Sequence, residues 1–220
     1  MQSVWQLNNS KNLLLFFSGW GMDERPTSHL TTDRYDICTC FNYNSLDTDE
    51  AERWKPYDSI TVVAWSMGVW AAEQVLSKAG LPLRQAIAIN GTPKPVDDEL
   101  GIPVALAQIT WDGLTPESLR RFYRRMLGSG SLLKQMEESG QMPVIDFDER
   151  KEELRQIIAQ QPYPETGFTW NKAVICTGDA IFPPTNLRAE WQGKAEIIEL
   201  DAPHYPFHLF KTWEEVLGEP

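Results

Sequence analysis

The sequence is short of cysteine, of histidine, of basic charge and of long apolar runs, and each shortage excludes something. Only Cys38, Cys40 and Cys176 occur in 220 residues. An odd count without any C-x-x-C spacing argues against a disulfide framework and against a zinc site. A reduced, cytoplasmic protein is therefore expected. No apolar run approaches the ~18 residues of a membrane span. The opening "MQSVWQLNNSKN" lacks a basic region followed by an apolar stretch, so no signal peptide is read. Lysine and arginine number 20 against 31 aspartates and glutamates, a formal net charge of −11. A phosphate backbone needs clustered cations, so nucleic acid is not an expected partner. Internal repeats and low-complexity segments are also missing.

What is present is globular. Hydrophobic residues make up 42% and aromatics 11%, enough for one domain with an ample core and room for a small insertion. "LLLFF" at 13–17, between "NNSKN" and "SGWG", reads as a strand buried on both faces. Further strands are expected at 35–41, 59–65, 85–90, 172–178 and 195–200. A helix is expected at 67–80, stopping at Gly80, and an amphipathic one in the closing "PFHLFKTWEEVLGEP". Strands separated by helix-length segments mean a mostly parallel sheet flanked by helices. Residues from about 95 to about 165 carry polar helical patterns without strong strand signal. They read as a helical lid inserted in a core formed by 1–94 and 166–220.

The stretch "VVAWSMGVWAA", 62–72, places Ser66 between a strand and a helix. A serine on such a tight turn projects its hydroxyl from the sheet as a nucleophile. Gly68 lets strand and helix approach, while Ala64 stands where glycine is usual. The competing reading is an ordinary helix N-cap. "FFSGWGMDE", 16–24, bends at Gly19 and Gly21 after the first strand. Its Trp20 N–H, with that of Met67, is assigned to an oxyanion hole. A dinucleotide loop is rejected because Glu24 stands at the third glycine position and would repel a pyrophosphate. A glycine-rich turn packing Trp20 remains the plainer alternative.

Three histidines supply the base: His29, His204 and His208. His204, in "LDAPHYPFHLF", lies after the last strand, where a histidine closes a triad in the order serine, acid, histidine. His29 is expected in a structural helix after the glycine loop, and His208 in the first turn of the final helix. Asp179, in "AVICTGDAIFPP", is preferred as the acid that orients His204. Asp201 competes but is awkwardly local, and a plain turn aspartate is the bland reading of Asp179. The combined reading is a serine hydrolase of the α/β-hydrolase class.

Together "FFSGWGMD", "AWSMGVWAA", "WDGLTPESLRRFYRRML", "GDAIFPPTNLRAEW" and "PHYPF" resemble the BioG-type pimeloyl-[acyl-carrier protein] methyl ester esterases of biotin synthesis, over about residues 13–213. "GWG" and "H-x-P-F" are also similar to the BioH-type esterases, except that Ser18 replaces their histidine before "GWG". The resemblance implies a Ser66–Asp179–His204 triad, an oxyanion hole from Trp20 and Met67, and release of methanol from the carrier-bound ester. It calls for no cofactor and no metal. Other esters or thioesters on the same residues, or a catalytically silent binding protein, are the alternatives. A monomer is expected.

One basic island stands out. "TPESLRRFYRRML" begins with Thr115 as N-cap and Pro116 at the first helical position. Leu119, Phe122, Tyr123, Met126 and Leu127 form the stripe expected to be buried, leaving Arg120, Arg121, Arg124 and Arg125 opposite. Such runs are usually solvated faces paired with local acids such as Glu117. With the resemblance, these arginines are expected to dock an acidic carrier protein through its carboxylates and phosphate.

Overall fold

The computed structural model describes residues 1–219. Its seven strands are β1 Gln2–Gln6, β2 Asn12–Phe17, β3 Asp36–Phe41, β4 Ser59–Trp65, β5 Leu83–Ile89, β6 Lys172–Cys176 and β7 Glu196–Leu200. They form one sheet in the order β1-β3-β2-β4-β5-β6-β7. All neighbours run parallel except β1, which pairs antiparallel with β3 from Gln2↔Phe41 to Gln6↔Ile37. The central strands are continuous apolar runs because helices and loops cover both faces; Leu13 to Phe17 are wholly buried. The edge strands β1 and β7 carry only exposed and half-buried positions, which alternate along β1. That alternation left β1 without the apolar run by which the other strands were read.

The helices are α1 Ala51–Trp54, α2 Gly68–Ala79, α3 Val104–Asp112, α4 Pro116–Leu127, α5 Gly130–Glu138, α6 Phe147–Ala159, α7 Pro184–Trp191 and α8 Trp213–Leu217. Helix α2 stops at Gly80, whose φ of 62° is left-handed. Helices α3 to α6 all fall in the β5–β6 connection. Helix α4 opens on a reciprocal cap: Ser118 N–H donates to Thr115 Oγ1 at 3.1 Å and Thr115 N–H to Ser118 Oγ at 2.8 Å. Of its apolar stripe, Leu119, Tyr123, Met126 and Leu127 are buried. Phe122 is half-buried, its ring edge-on to Trp20 at 5.2 Å.

The end of the chain departs from expectation. Instead of one amphipathic helix there is a single 3₁₀ turn, Phe207–Leu209, an extended break, and the short α8; Pro220 lies outside the described residues. The break has a tertiary cause. Thr31 N–H donates to Lys211 O and Trp213 N–H to Thr31 O, both at 3.0 Å, so this backbone pairs with a distant loop. Thr212 then caps α8 by accepting from Glu215 N–H. Phe207 and Trp213 both pack on the Phe16 ring, at 5.5 and 5.0 Å. The parallel strands point their C-terminal ends one way, and the loops after β2, β4, β6 and β7 meet there, the usual place for a site in such a sheet.

Candidate active site

Strand β4 ends at Trp65 and α2 begins at Gly68, so Ser66 sits on the shortest possible hinge. Its φ is 59°, a left-handed conformation that a non-glycine residue holds only when its surroundings impose it. Here they do: Ser66 N–H donates to Ile89 O at 2.9 Å, and Ser66 O accepts from Val69 N–H at 3.1 Å. Two close approaches allow it. A side chain at Gly68 would place its Cβ 2.4 Å from Phe17 O, and one at Gly91 would come within 2.1 Å of Ser66 O. Ala64 meets no such obstacle; it pairs with Phe17 and Ala88 inside the sheet, wholly buried.

His204, on the loop after β7, brings Nε2 to 2.9 Å from Ser66 Oγ and Nδ1 to 2.7 Å from Asp179 Oδ2. Asp179 follows β6, and its other oxygen accepts Ile181 N–H at 2.7 Å and Phe182 N–H at 2.9 Å. All three residues are buried. The Phe182 ring lies parallel to the imidazole at 5.8 Å. Trp65 Nε1 and Asn90 Nδ2 each donate to His204 O at 2.9 Å. Asn90 also accepts Cys176 N–H at 2.7 Å, tying the ends of β5 and β6 to the histidine loop. Burial and the nearby Asp179 push the Cys176 thiol up to about 12, although the Asn90 hydrogen bond opposes them, and keep it protonated.

Asp201 is exposed on the turn after β7, away from this run. His29 lies in a turn after a short 3₁₀ segment, Arg25–Thr27, rather than in a helix; its Nε2 is 3.0 Å from Phe207 O. His208 is in the 3₁₀ turn ahead of α8, not in α8, and stacks on Tyr205. The Tyr205 hydroxyl donates to Pro26 O, and burial pushes it upward. Neither His208 nor Tyr205 lines the cavity below.

The glycine loop abuts the serine turn: a Cβ at Gly19 would sit 3.3 Å from Ser66 Cβ. Among the described residues, neither the Trp20 nor the Met67 backbone N–H donates a hydrogen bond. Met67 heads α2, so its amide is one of the donors a helix start leaves open. A cavity opens above Ser66 and His204. Its wall is apolar, with Trp20, Leu106, Phe122, Met126 and Ile181, and Arg125 adds a guanidinium. The four arginines of α4 are exposed. Arg120 pairs with Glu137 of α5, not with Glu117; among the described residues Arg121, Arg124 and Arg125 make no ion pair.

Among the described residues no cluster of His, Cys, Asp and Glu is arranged to hold a metal. None of their helices is long and apolar enough to cross a membrane. A family model described as pimeloyl-ACP methyl esterase BioG matches residues 1–216. The crystal structure of BioG from Haemophilus influenzae superposes with a TM-score of 0.90 at 33% identity, covering 98% of this chain and 99% of that one. A malonyl-[acyl-carrier protein] O-methyltransferase of Bacteroides fragilis is 48% identical over 204 residues, 91% of this chain, which spans only 41% of that protein's length. A lipase-esterase related protein from Clostridium acetobutylicum shares the α/β-hydrolase fold, with a TM-score of 0.65 at 13% identity and 93% and 92% of the two chains covered.

Proposed function

The chain belongs to the pimeloyl-ACP methyl esterase BioG family, and from that premise we propose that it is a serine esterase removing the methyl group from pimeloyl-[acyl-carrier protein] methyl ester. The observation that carries this reading is the hydrogen-bonded run Asp179–His204–Ser66 at the floor of an apolar cavity. His204 Nε2 takes the proton of Ser66 Oγ as the oxygen attacks the ester carbonyl. The oxygen of the tetrahedral intermediate meets the open N–H groups of Trp20 and Met67, donors that need no reorganisation. His204 returns the proton to methoxide, methanol leaves, and water attacks the acyl-enzyme by the same route to release the acid. Asp179 holds the imidazole in the tautomer with its free lone pair toward Ser66.

Helices α3 to α6 act as a lid over 95–165 that shapes an acyl channel and excludes water. The distal ester is then chosen over the proximal thioester by reach. The Bacteroides relative adds weight, because a methyltransferase working on a carrier-bound acid makes the kind of ester that this reaction removes. Incubating pimeloyl-carrier methyl ester with the enzyme should remove the mass of one CH₂ and leave the thioester whole. An unchanged mass, or a cleaved thioester, rejects this substrate.

The unpaired arginines of α4 offer a seat for the acidic carrier. The net charge of −11 works against that approach, but charges beyond ~8 Å are screened at physiological salt, so the local face decides. Arg121→Glu with Arg124→Glu should raise KM for the carrier-bound ester about tenfold or more at physiological salt and leave small-ester hydrolysis intact. An unchanged KM places the carrier elsewhere.

A further inference from the structure

Helix α6 carries four buried residues, Arg150, Glu153, Leu154 and Ile157, on one stripe. Two of them are charged, which is costly in a buried stripe unless the charge is used. Glu153 is 2% exposed. Its Oε2 accepts Gly21 N–H at 2.9 Å, and its Oε1 accepts Tyr43 N–H at 2.8 Å. One carboxylate therefore grips the backbone of two loops, those following β2 and β3. We propose that Glu153 is a positioning residue that fixes the glycine loop so that the Trp20 N–H faces the reacting carbonyl. This rests on the esterase reading above and names the support of its oxyanion hole.

The surrounding contacts converge on the same peptide. Ser18 N–H donates to Cys40 O at 2.9 Å and sets the start of the loop. The indole of Trp20 donates to Arg150 O at 2.9 Å. Gly21 has a φ of 65°, and a Cβ there would strike the Arg150 side chain at 2.8 Å. Tyr43 donates its hydroxyl to Ser18 O at 2.7 Å and so binds the second loop to the first. Only a carboxylate can accept at both ends of its fork; an amide would turn an NH₂ toward one of the two N–H donors.

Burial drives the Glu153 carboxyl up to about 7, against the pull of the two amides and of Arg150, with Glu149 adding to the rise. The other ionisable groups near it are Tyr43 and Tyr123, both pushed upward by burial, and the chain's amino terminus. On the glycine loop itself Asp23 is held by Arg25 and by Val144 N–H. The Glu153 contribution to stability is complete below the ordinary 4.5 and is lost as pH rises through about 7.

Two measurements test this. In wild type, the Gly21 and Tyr43 amides should both be protected from hydrogen exchange and, where they titrate, share one midpoint; free exchange of either amide, or two different midpoints, overturns the proposal whatever the enzyme hydrolyses. For Glu153→Gln, checked as folded by circular dichroism, kcat on a p-nitrophenyl ester should drop about tenfold to a hundredfold while KM changes less than about twofold. A folded variant with kcat within about twofold of wild type overturns the proposal. If Glu153→Gln does not fold, the protection of the two amides decides alone. A wild type that hydrolyses no ester strikes the esterase reading instead, and the amides still report whether the clamp exists.

Discussion

Ser66→Ala loses ester hydrolysis by about ten-thousandfold or more, yet melts within a few degrees of wild type. The loss follows from the single role the hydroxyl has: its Oγ is the atom that His204 Nε2 faces at 2.9 Å. Without it the open amides and the cavity can still bind an ester, so KM for a small substrate should change little. The fold is spared because the turn is held by main-chain bonds, Ser66 N–H to Ile89 O and Val69 N–H to Ser66 O. Alanine keeps both, at a backbone conformation it dislikes about as much as serine does. Labelling with a fluorophosphonate probe should disappear with the activity. A Ser66→Ala protein that keeps more than a tenth of the wild-type rate would mean the nucleophile is elsewhere.

Asp179→Asn should cost almost as much, roughly a thousandfold to ten-thousandfold in kcat. The geometry leaves the new side chain little choice. Oδ1 of Asp179 accepts two backbone donors, Ile181 N–H and Phe182 N–H. An asparagine oxygen must take that place, because the flipped amide would leave both donors buried and unpaired, at about 1–3 kcal/mol each. Its NH₂ then points at His204 Nδ1, which must present a lone pair, and the ring proton moves to Nε2. A histidine protonated at Nε2 cannot accept the Ser66 proton. Nitrogen chemical shifts of the His204 ring read the tautomer directly, and kcat reads its consequence. Wild-type shifts in the variant, or a rate within tenfold of wild type, would contradict this account.

Much of the sheet could be read from short apolar runs, because a strand covered on both faces has little else to be. "SITVVAW" at 59–65 appears as β4 at those residues. β1 carries no such run: "QSVWQ" lies on an edge, with Val4 and Trp5 side by side between polar residues. The closing segment departs from its helical pattern because periodicity says nothing about Thr31, whose backbone claims residues 211 and 213. In the site, chain order and local turn chemistry were enough to expect Ser66, Asp179 and His204 near one another. Asn90 and Glu153 gave no such notice. Their partners lie 86 to 132 positions away, and a single polar residue does not announce a distant backbone amide. Glu153 left one trace: a glutamate set among Leu154 and Ile157 on a buried helical stripe is out of place unless something holds it.

The thiols add a practical consequence. Cys38 and Cys40 lie side by side on β3 with sulfurs 3.9 Å apart, Cys176 closes β6, and none of the three is exposed. A thiol-reactive dye can reach them only when the sheet opens, so its uptake by the native chain clocks that opening. Because the proposed chemistry hangs on a serine, the hydrolytic rate of the unlabelled fraction can be followed in the same tube. The molecule thus carries its own gauge of integrity, read without consuming the proposed nucleophile.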